Sequence, residues 1–291
     1  MALTIGLVGA TGVYGQALAP LLLASGHRVR VLARSAAKAR EVLPAGIEMV
    51  EGDLLDPTTD MVAFLRGCDA TAHIATAIPR DMGAPGAWDL NTRLRTEGTR
   101  RLVEAALAAG IERYLQQSIV MAYPDSGDHW ITEDTPLADS PERASRTEPV
   151  KIMEATVRAV PPDRLRWCIL RGGAFLGRGT AQDGEIERLR TGTLVVPCDG
   201  QSFFSPIHVD DMATATAAAF ERGPAGSIYN IVDEPLRLGE YFDRLAALVG
   251  APRPPRDPGQ PCPPSYRCSN QAAQDALGWT PTHSIFPEGV K

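Results

Sequence analysis

Short apolar runs alternate with amphipathic stretches along the first 170 or so residues. Leu3–Val8 is an apolar run closed by glycine, the pattern of a parallel strand buried on both faces. Gln16–Ala24 has apolar residues at helical spacing and stops at Gly26. Arg28–Ala33 predicts a strand, Ala36–Leu43 a short helix halted before Pro44, and Ile47–Val50 a third strand. Thr58–Leu65 follows Pro57 as a helix, Ala70–Ile74 is a fourth strand, and a long helix runs from Trp88 to Ala109 with Gly110 as its stop. Arg113–Ser118 is a fifth strand. Right-handed crossovers fold such a rhythm into an α/β, doubly wound parallel sheet with helices on both faces.

The rhythm changes after Ser118. Met121–Glu148 is long and polar and reads as a loop over the sheet edge, a candidate lid. Val150–Val160 predicts a helix opened near Pro149, and Leu165–Leu170 a sixth strand. Residues 1–171 therefore form the sheet domain. Residues 172–291 form a smaller C-terminal lobe, with segments free to return to the sheet. Ala251–Ser265 is proline-rich and reads as extended surface chain.

The glycines after the first strand add chemistry. Leu7-Val8-Gly9-Ala10-Thr11-Gly12-Val13-Tyr14-Gly15 joins a strand to a helix. Such a turn needs glycine for the sharp bend, for close approach of backbone to a pyrophosphate, and for tight helix–strand packing. The helix N-terminus then offers unpaired N–H groups to phosphates. Gly9, Thr11, Gly12, Val13, Tyr14 and Gly15 are thus candidate dinucleotide-binding residues. An acid at the end of the second strand would favour NAD(H). Arg34 and Ser35 stand there instead, with Lys38 one turn on. A guanidinium fork suits a 2′-phosphate, so NADP(H) is favoured over NAD(H).

Composition narrows the partners. The chain has 291 residues, a formal charge of −6 and 44% apolar residues, enough for a full core. No basic stripe suits a nucleic acid, and no window is long and apolar enough for a membrane. The five cysteines are odd in number and lack CxxC spacing. Cys262 and Cys268 are close in sequence, but no disulfide or metal site is expected, and the thiols read as buried hydrophobes. That usage suits a reducing, cytoplasmic compartment. No cluster has metal-ligand spacing. A small-molecule substrate is the expected partner.

Further motifs carry a resemblance. Gly52-Asp53-Leu54 follows the third strand and His73-Ile74-Ala75-Thr76 the fourth. Asn91 precedes Glu97-Gly98-Thr99. Leu170-Arg171-Gly172-Gly173 leads to Gly177-Arg178-Gly179. Ile207-His208-Val209-Asp210-Asp211 and Leu277-Gly278-Trp279-Thr280-Pro281 follow. Together with the Gly-x-x-Gly-x-x-Gly turn, these resemble the extended short-chain dehydrogenase/reductase family, also called the NAD-dependent epimerase/dehydratase family. The resemblance implies a Rossmann-type fold and adds Asp53, Leu54, Ala75, Thr76 and Gly172 to the cofactor-binding residues. It also implies a homodimer through two long helices.

The family pairs a Tyr-x-x-x-Lys on one helix face with a serine at the end of the fifth strand. The cationic lysine lowers the phenol pKa, so that the tyrosine can pass a proton. Here Lys151 is present, but Thr147 stands where the tyrosine is expected. A threonine hydroxyl is far too weak an acid to replace it. Ser118, Tyr123 and Lys151 are the candidate catalytic residues, with Tyr123 as the substitute proton donor. Lys151 could also hold cofactor ribose hydroxyls. Tyr123 as a loop anchor is the competing reading. His208 reads as structural, paired with Asp210 or Asp211. Arg171 reads as pairing with a carboxylate or facing substrate. The expected function is an NADP(H)-dependent oxidoreductase acting on a small organic carbonyl or alcohol. A non-redox isomerase, lyase or cyclase in the same cleft, or a catalytically silent NADP-binding protein, remains open.

Overall fold

The structure, a computed structural model, describes residues 2–79, 81 and 83–287. The first half runs β1 (Thr4–Val8), α1 (Val13–Ala24), β2 (Arg28–Ala33), α2 (Ala36–Val42), β3 (Glu48–Glu51), α3 (Met61–Leu65) and β4 (Ala70–His73). It continues through α4 (Asp89–Arg93), a π turn (Leu94–Gly98), α5 (Thr99–Ala109), β5 (Arg113–Ile119), β6 (Trp130–Ile131), α6 (Ala144–Arg158) and β7 (Arg166–Gly172). The second half has β8 (Ala174–Leu176), α7 (Ala181–Arg190), β9 (Val196–Pro197), β10 (Phe203–Phe204), β11 (Pro206–His208), α8 (Val209–Arg222) and β12 (Ser227–Ile231). Last come β13 (Leu236–Arg237), α9 (Leu238–Leu248), β14 (Arg256–Asp257), β15 (Arg267–Cys268) and α10 (Gln271–Leu277).

Seven strands form one parallel sheet in the order β12-β7-β5-β4-β1-β2-β3. The chain moves outward from β1 to β3, then returns to the other side of β1 as β4. The crevice between the carboxyl ends of β1 and β4 is therefore the switch point where such sheets bind ligands. One apolar layer packs α1, α8 and α10 on the sheet around Leu18, Leu22, Phe220 and Leu277. The other packs α3, α5 and α6 through Phe64, Leu102 and Val157. Each such side chain, fully buried, contributes about 1.5–3 kcal/mol of transfer free energy. A third cluster, on β9, α7 and α9, forms the core of the smaller lobe. Among the described residues, no helix is long and apolar enough to cross a membrane.

Several elements differ from the sequence reading. The long helix after β4 is broken by the π turn, which packs against α6. Helix α6 starts at Ala144, so Pro149 lies inside it. The cost is one helical hydrogen bond, to the Ser145 carbonyl. The 121–148 segment is not a free lid. Arg143 donates to the Tyr123 carbonyl at 2.8 Å and to the Tyr266 hydroxyl at 2.6 Å. Asp128 clasps Arg237 at 2.8 and 2.9 Å, and β6 pairs with β15. The segment is thus stitched to the C-terminal lobe. In turn, residues beyond 172 return β12 to the sheet edge and lay α8 on α1.

The cysteine expectation is corrected. Cys198 and Cys262, 64 positions apart, form a disulfide with a Cα–Cα distance of 4.9 Å. Their proximity is created by β9 pairing with β14, a contact that sequence spacing does not reveal. Cys68, Cys168 and Cys268 are buried free thiols. The cross-link removes the thiol-based argument for a reducing compartment.

Candidate active site

The glycine turn has the geometry that a diphosphate needs. Gly9 has φ of 102°, and a Cβ there would stand 2.5 Å from the Ala75 backbone. The loops leaving β1 and β4 therefore touch. A Cβ on Gly15 would stand 2.3 Å from the Ala10 Cα, so glycine lets α1 close on the strand end. Gly12 is extended and caps α1 without a side chain. Among the described residues, no backbone acceptor meets the amides of Val13 or Tyr14, which leaves them to a ligand. Thr11 and Thr76 are exposed beside this opening.

Not every candidate presents its side chain there. Tyr14 is buried, and its hydroxyl bonds Thr216 on α8. Burial pushes that phenol well above the usual range, so only its backbone belongs to the turn. Leu54 is likewise buried, covers Gly98, and gives its carbonyl to Arg101 at 2.6 Å. Asp53 accepts from the Leu55 amide at 2.8 Å and borders a groove of about 690 Å³ with Arg34, Glu51 and Gly52. Ser35 accepts from the Lys38 amide at 3.4 Å as the cap of α2. Arg34 is exposed and bonds nothing among the described residues. Gly172 is buried against Phe175 and Met212. Free amides, a crevice only glycine permits and an unspent guanidinium at the adenosine end fit a dinucleotide. Their chemistry favours its phosphates as the anchoring groups.

The proton-transfer corner departs from expectation. Ser118 has no exposed surface, and its Oγ donates to Glu154 Oε1 at 2.6 Å. Arg171 grips the same carboxylate through Nε at 3.0 Å and Nη2 at 2.6 Å. Its Nη1 donates to the Tyr123 hydroxyl at 2.6 Å, which donates to Asn230 Oδ1 at 2.9 Å. Tyr123 also has no exposed surface. Burial raises its pKa to about 12, even with Arg171 beside it. These geometries correct both assignments: Ser118 and Tyr123 are links of a buried polar chain that ties β5, α6, β7 and β12 together. Neither points a hydroxyl at the cleft.

Thr147 is buried, and its hydroxyl donates to the Arg143 carbonyl at 3.1 Å. Lys151 donates to Glu148 at 2.7 Å and to Asp139 at 3.0 Å. Those two carboxylates hold its pKa above the usual lysine range. Its charge faces these acids, and among the described residues no phenol bonds it. His208 caps α8 by accepting from the Asp210 amide at 3.3 Å, while Asp211 binds His283 at 2.7 Å.

Two residues of this corner escaped the sequence reading. Glu154 lies in the stripe Val150, Met153, Val157 of α6, and an acid inside an apolar stripe was the available signal. Arg95 shares a buried stripe with Asn91 and Leu102, and is itself 4% exposed. It lies beside His73, which is buried at the end of β4 and bonds the Leu94 carbonyl at 3.1 Å. Burial depresses the His73 pKa to about 4.

Comparison with known proteins agrees with this architecture. Residues 5–232 match the model of the NAD dependent epimerase/dehydratase family. A 3-diazoavenalumate denitrifying reductase from a Streptomyces species is 35% identical over 98% of both chains. A 2-alkyl-3-oxoalkanoate reductase from Stenotrophomonas maltophilia is 30% identical over 85% of this chain and 76% of its own. Among solved structures, the dTDP-glucose 4,6-dehydratase of Streptomyces venezuelae, which holds NAD, superposes with a TM-score of 0.81 at 24% identity, covering 97% of this chain and 92% of that one. The chain thus belongs to the NAD-dependent epimerase/dehydratase family, as an oxidoreductase-type enzyme on a Rossmann fold.

Proposed function

We propose that this chain is an NADPH-dependent reductase of a small carboxylic acid, working on an acceptor whose reduction needs no protein acid. An aryl diazonium carbon is such an acceptor. The observation that carries this reading is that, among the described residues, none of the hydroxyls of Ser118, Tyr123 and Thr147 faces the cleft, while Lys151 is held by two carboxylates. A ketone becomes an alkoxide as hydride arrives, and needs an acid of matched pKa. A diazonium carbon accepts hydride as its bond to nitrogen breaks, giving an arene and dinitrogen with no proton transferred.

The bound dinucleotide would supply the hydride. The protein would supply placement. Amides of Val13 and Tyr14 would hold the diphosphate, Thr11 and Thr76 would flank it, and Arg34 would meet the 2′-phosphate. Asp53 and the Leu54 backbone would border the adenosine groove, and Gly172 would leave room at the far end. Lys151, which spends two of its three N–H donors on Glu148 and Asp139, would have one left for ribose hydroxyls. The stitched 121–148 segment would limit water. The name of the Streptomyces relative, a reductase acting on a diazo compound with loss of nitrogen, supports this reading.

Reduction of a 3-oxo acid is the second reading, favoured by the name of the Stenotrophomonas relative. A water molecule would then have to donate the proton. The test incubates the purified protein with NADPH carrying deuterium at C4 and either a carboxy-substituted benzenediazonium or a 3-oxo acid. Deuterium on the ring with one dinitrogen per NADPH supports the first reading. Deuterated hydroxy acid with inert diazonium overturns it in favour of the second.

A further inference from the structure

We propose that Arg95 is the receptor for the carboxylate of the substrate, an inference that rests on the carboxylic-acid reductase reading above. Arg95 lies in the π turn that joins α4 to α5. The preceding carbonyl, Leu94, bonds His73, the last residue of β4. That bond fixes Arg95 level with the carboxyl ends of the strands, on the β5 side of the switch point. The glycine turn and Arg34 lie on the opposite, β2 side. The phosphate ends of a dinucleotide are thus provided for elsewhere, and the backbone of Arg95 lies away from them.

The residue is 4% exposed, and among the described residues neither Nε nor Nη1 has a hydrogen-bond partner. A buried guanidinium without partners is strongly destabilising, and native proteins seldom keep one without a reason. The acid whose field reaches it is Glu154. Both Glu154 oxygens, however, already accept from Ser118 and Arg171. Among the described residues, no carboxylate hydrogen-bonds Arg95. Burial lowers its pKa to about 10, so it stays fully charged near neutrality. A π turn is itself a rare geometry, frequent at functional sites.

A cation held in a low-dielectric corner with free N–H donors is matched by a planar anion. A carboxylate presents two acceptor oxygens to those donors and compensates the buried charge. Its neutral amide supplies one acceptor and no charge. The same site should therefore discriminate acid from amide, and this preference separates carboxylate recognition from mere apolar fit.

The test uses calorimetry on the full chain with cinnamate, a non-reducible aryl acid, and with cinnamamide, each with and without NADP+. In the wild type, the acid should bind about tenfold tighter than the amide. Arg95→Gln should bring that ratio to about one, and Arg95→Lys should keep part of it, since it retains the charge but not the planar fork. NADP+ affinity should stay within about twofold in both variants. An acid preference missing in the wild type, or unchanged in Arg95→Gln, overturns the proposal. So does a loss of NADP+ affinity in Arg95→Gln, which would assign the guanidinium to the cofactor. Failure of the wild type to bind NADP+ would instead sink the reductase reading, while the ratio without nucleotide still reports on Arg95. Thermal melting supplies a second readout. Arg95→Met removes an uncompensated charge and should melt above the wild type in the absence of ligand. A lower melting temperature would make Arg95 a structural group and overturn its assignment.

Discussion

Arg34 offers the cleanest probe of dinucleotide choice, because the structure gives it no other task. It stands exposed at the carboxyl end of β2 and bonds nothing among the described residues. Ser35 next to it caps α2, so a change there would act through the fold instead. A hydrogen bond to a charged group contributes about 1.5–3 kcal/mol where solvent is excluded. At an exposed site the Coulomb part falls to about 1 kcal/mol at contact distance. Glu51 borders the same groove, but it repels a phosphate equally in wild type and variant and cancels from their ratio. The net expectation is about 1.4 kcal/mol, or tenfold. Arg34→Ala should therefore raise the Kd for NADPH about tenfold and leave NADH within about twofold. Nicotinamide fluorescence titrations at two ionic strengths measure both. Raising salt from about 0.1 M to 1 M shortens the screening length from about 10 Å to 3 Å. The wild-type preference for NADPH should then shrink, and the variant should show little change. Equal weakening of both nucleotides, or a wild type that prefers NADH, would refute the 2′-phosphate assignment.

Other expectations can be checked with similar means. Gly15→Ala places a Cβ 2.3 Å from the Ala10 Cα, and NADPH binding should fall at least about a hundredfold while the rest of the sheet persists by circular dichroism. Glu154→Gln leaves Arg171 buried without its counter-charge and should cost about 3–5 kcal/mol, a fall of roughly 5–8 °C in melting temperature for a chain of this size. Thr147→Tyr forces a phenol into a filled site next to a neutralised Lys151; it should lose about 1–3 kcal/mol of stability by chemical denaturation and gain no ketone reductase activity. His73 is buried with its pKa depressed to about 4, so the unfolded chain binds one more proton between about pH 4 and 6.5. Stability should thus drop as pH falls through that window, by at most roughly 3 kcal/mol from this residue, and His73→Gln should show a shallower decline in denaturant midpoint.

The parallel sheet was legible because its signals are local. Each strand is a short apolar run, each helix has a stop, and the glycine turn lies at the one junction where chemistry requires it. The places of the candidate cofactor residues were legible for the same reason: Arg34 and Asp53 lie at strand ends that sequence alone can locate. The catalytic corner was not, because its meaning lies in direction. Ser118 stands at the end of β5 as expected, yet the pleat turns its hydroxyl toward Glu154, a partner 36 residues away. Tyr123 was weighed against a loop-anchor reading, and Arg171 and Asn230 decide for the anchor. The Cys198–Cys262 link and the π turn depend on tertiary pairing and on a break in helical register, which periodicity averages away.

The return of β12 to the sheet has a consequence for synthesis. A ribosome that has released residues up to Gly172 has made six of the seven strands, but β7 still presents a bare edge, and α1 lacks the α8 surface that covers its leucines. The nascent chain must hold this adhesive intermediate until Ser227–Ile231 emerges about fifty residues later. Chaperone dependence should therefore peak in that interval. Splitting the coding sequence at the nominal lobe boundary should yield two insoluble halves rather than two working modules.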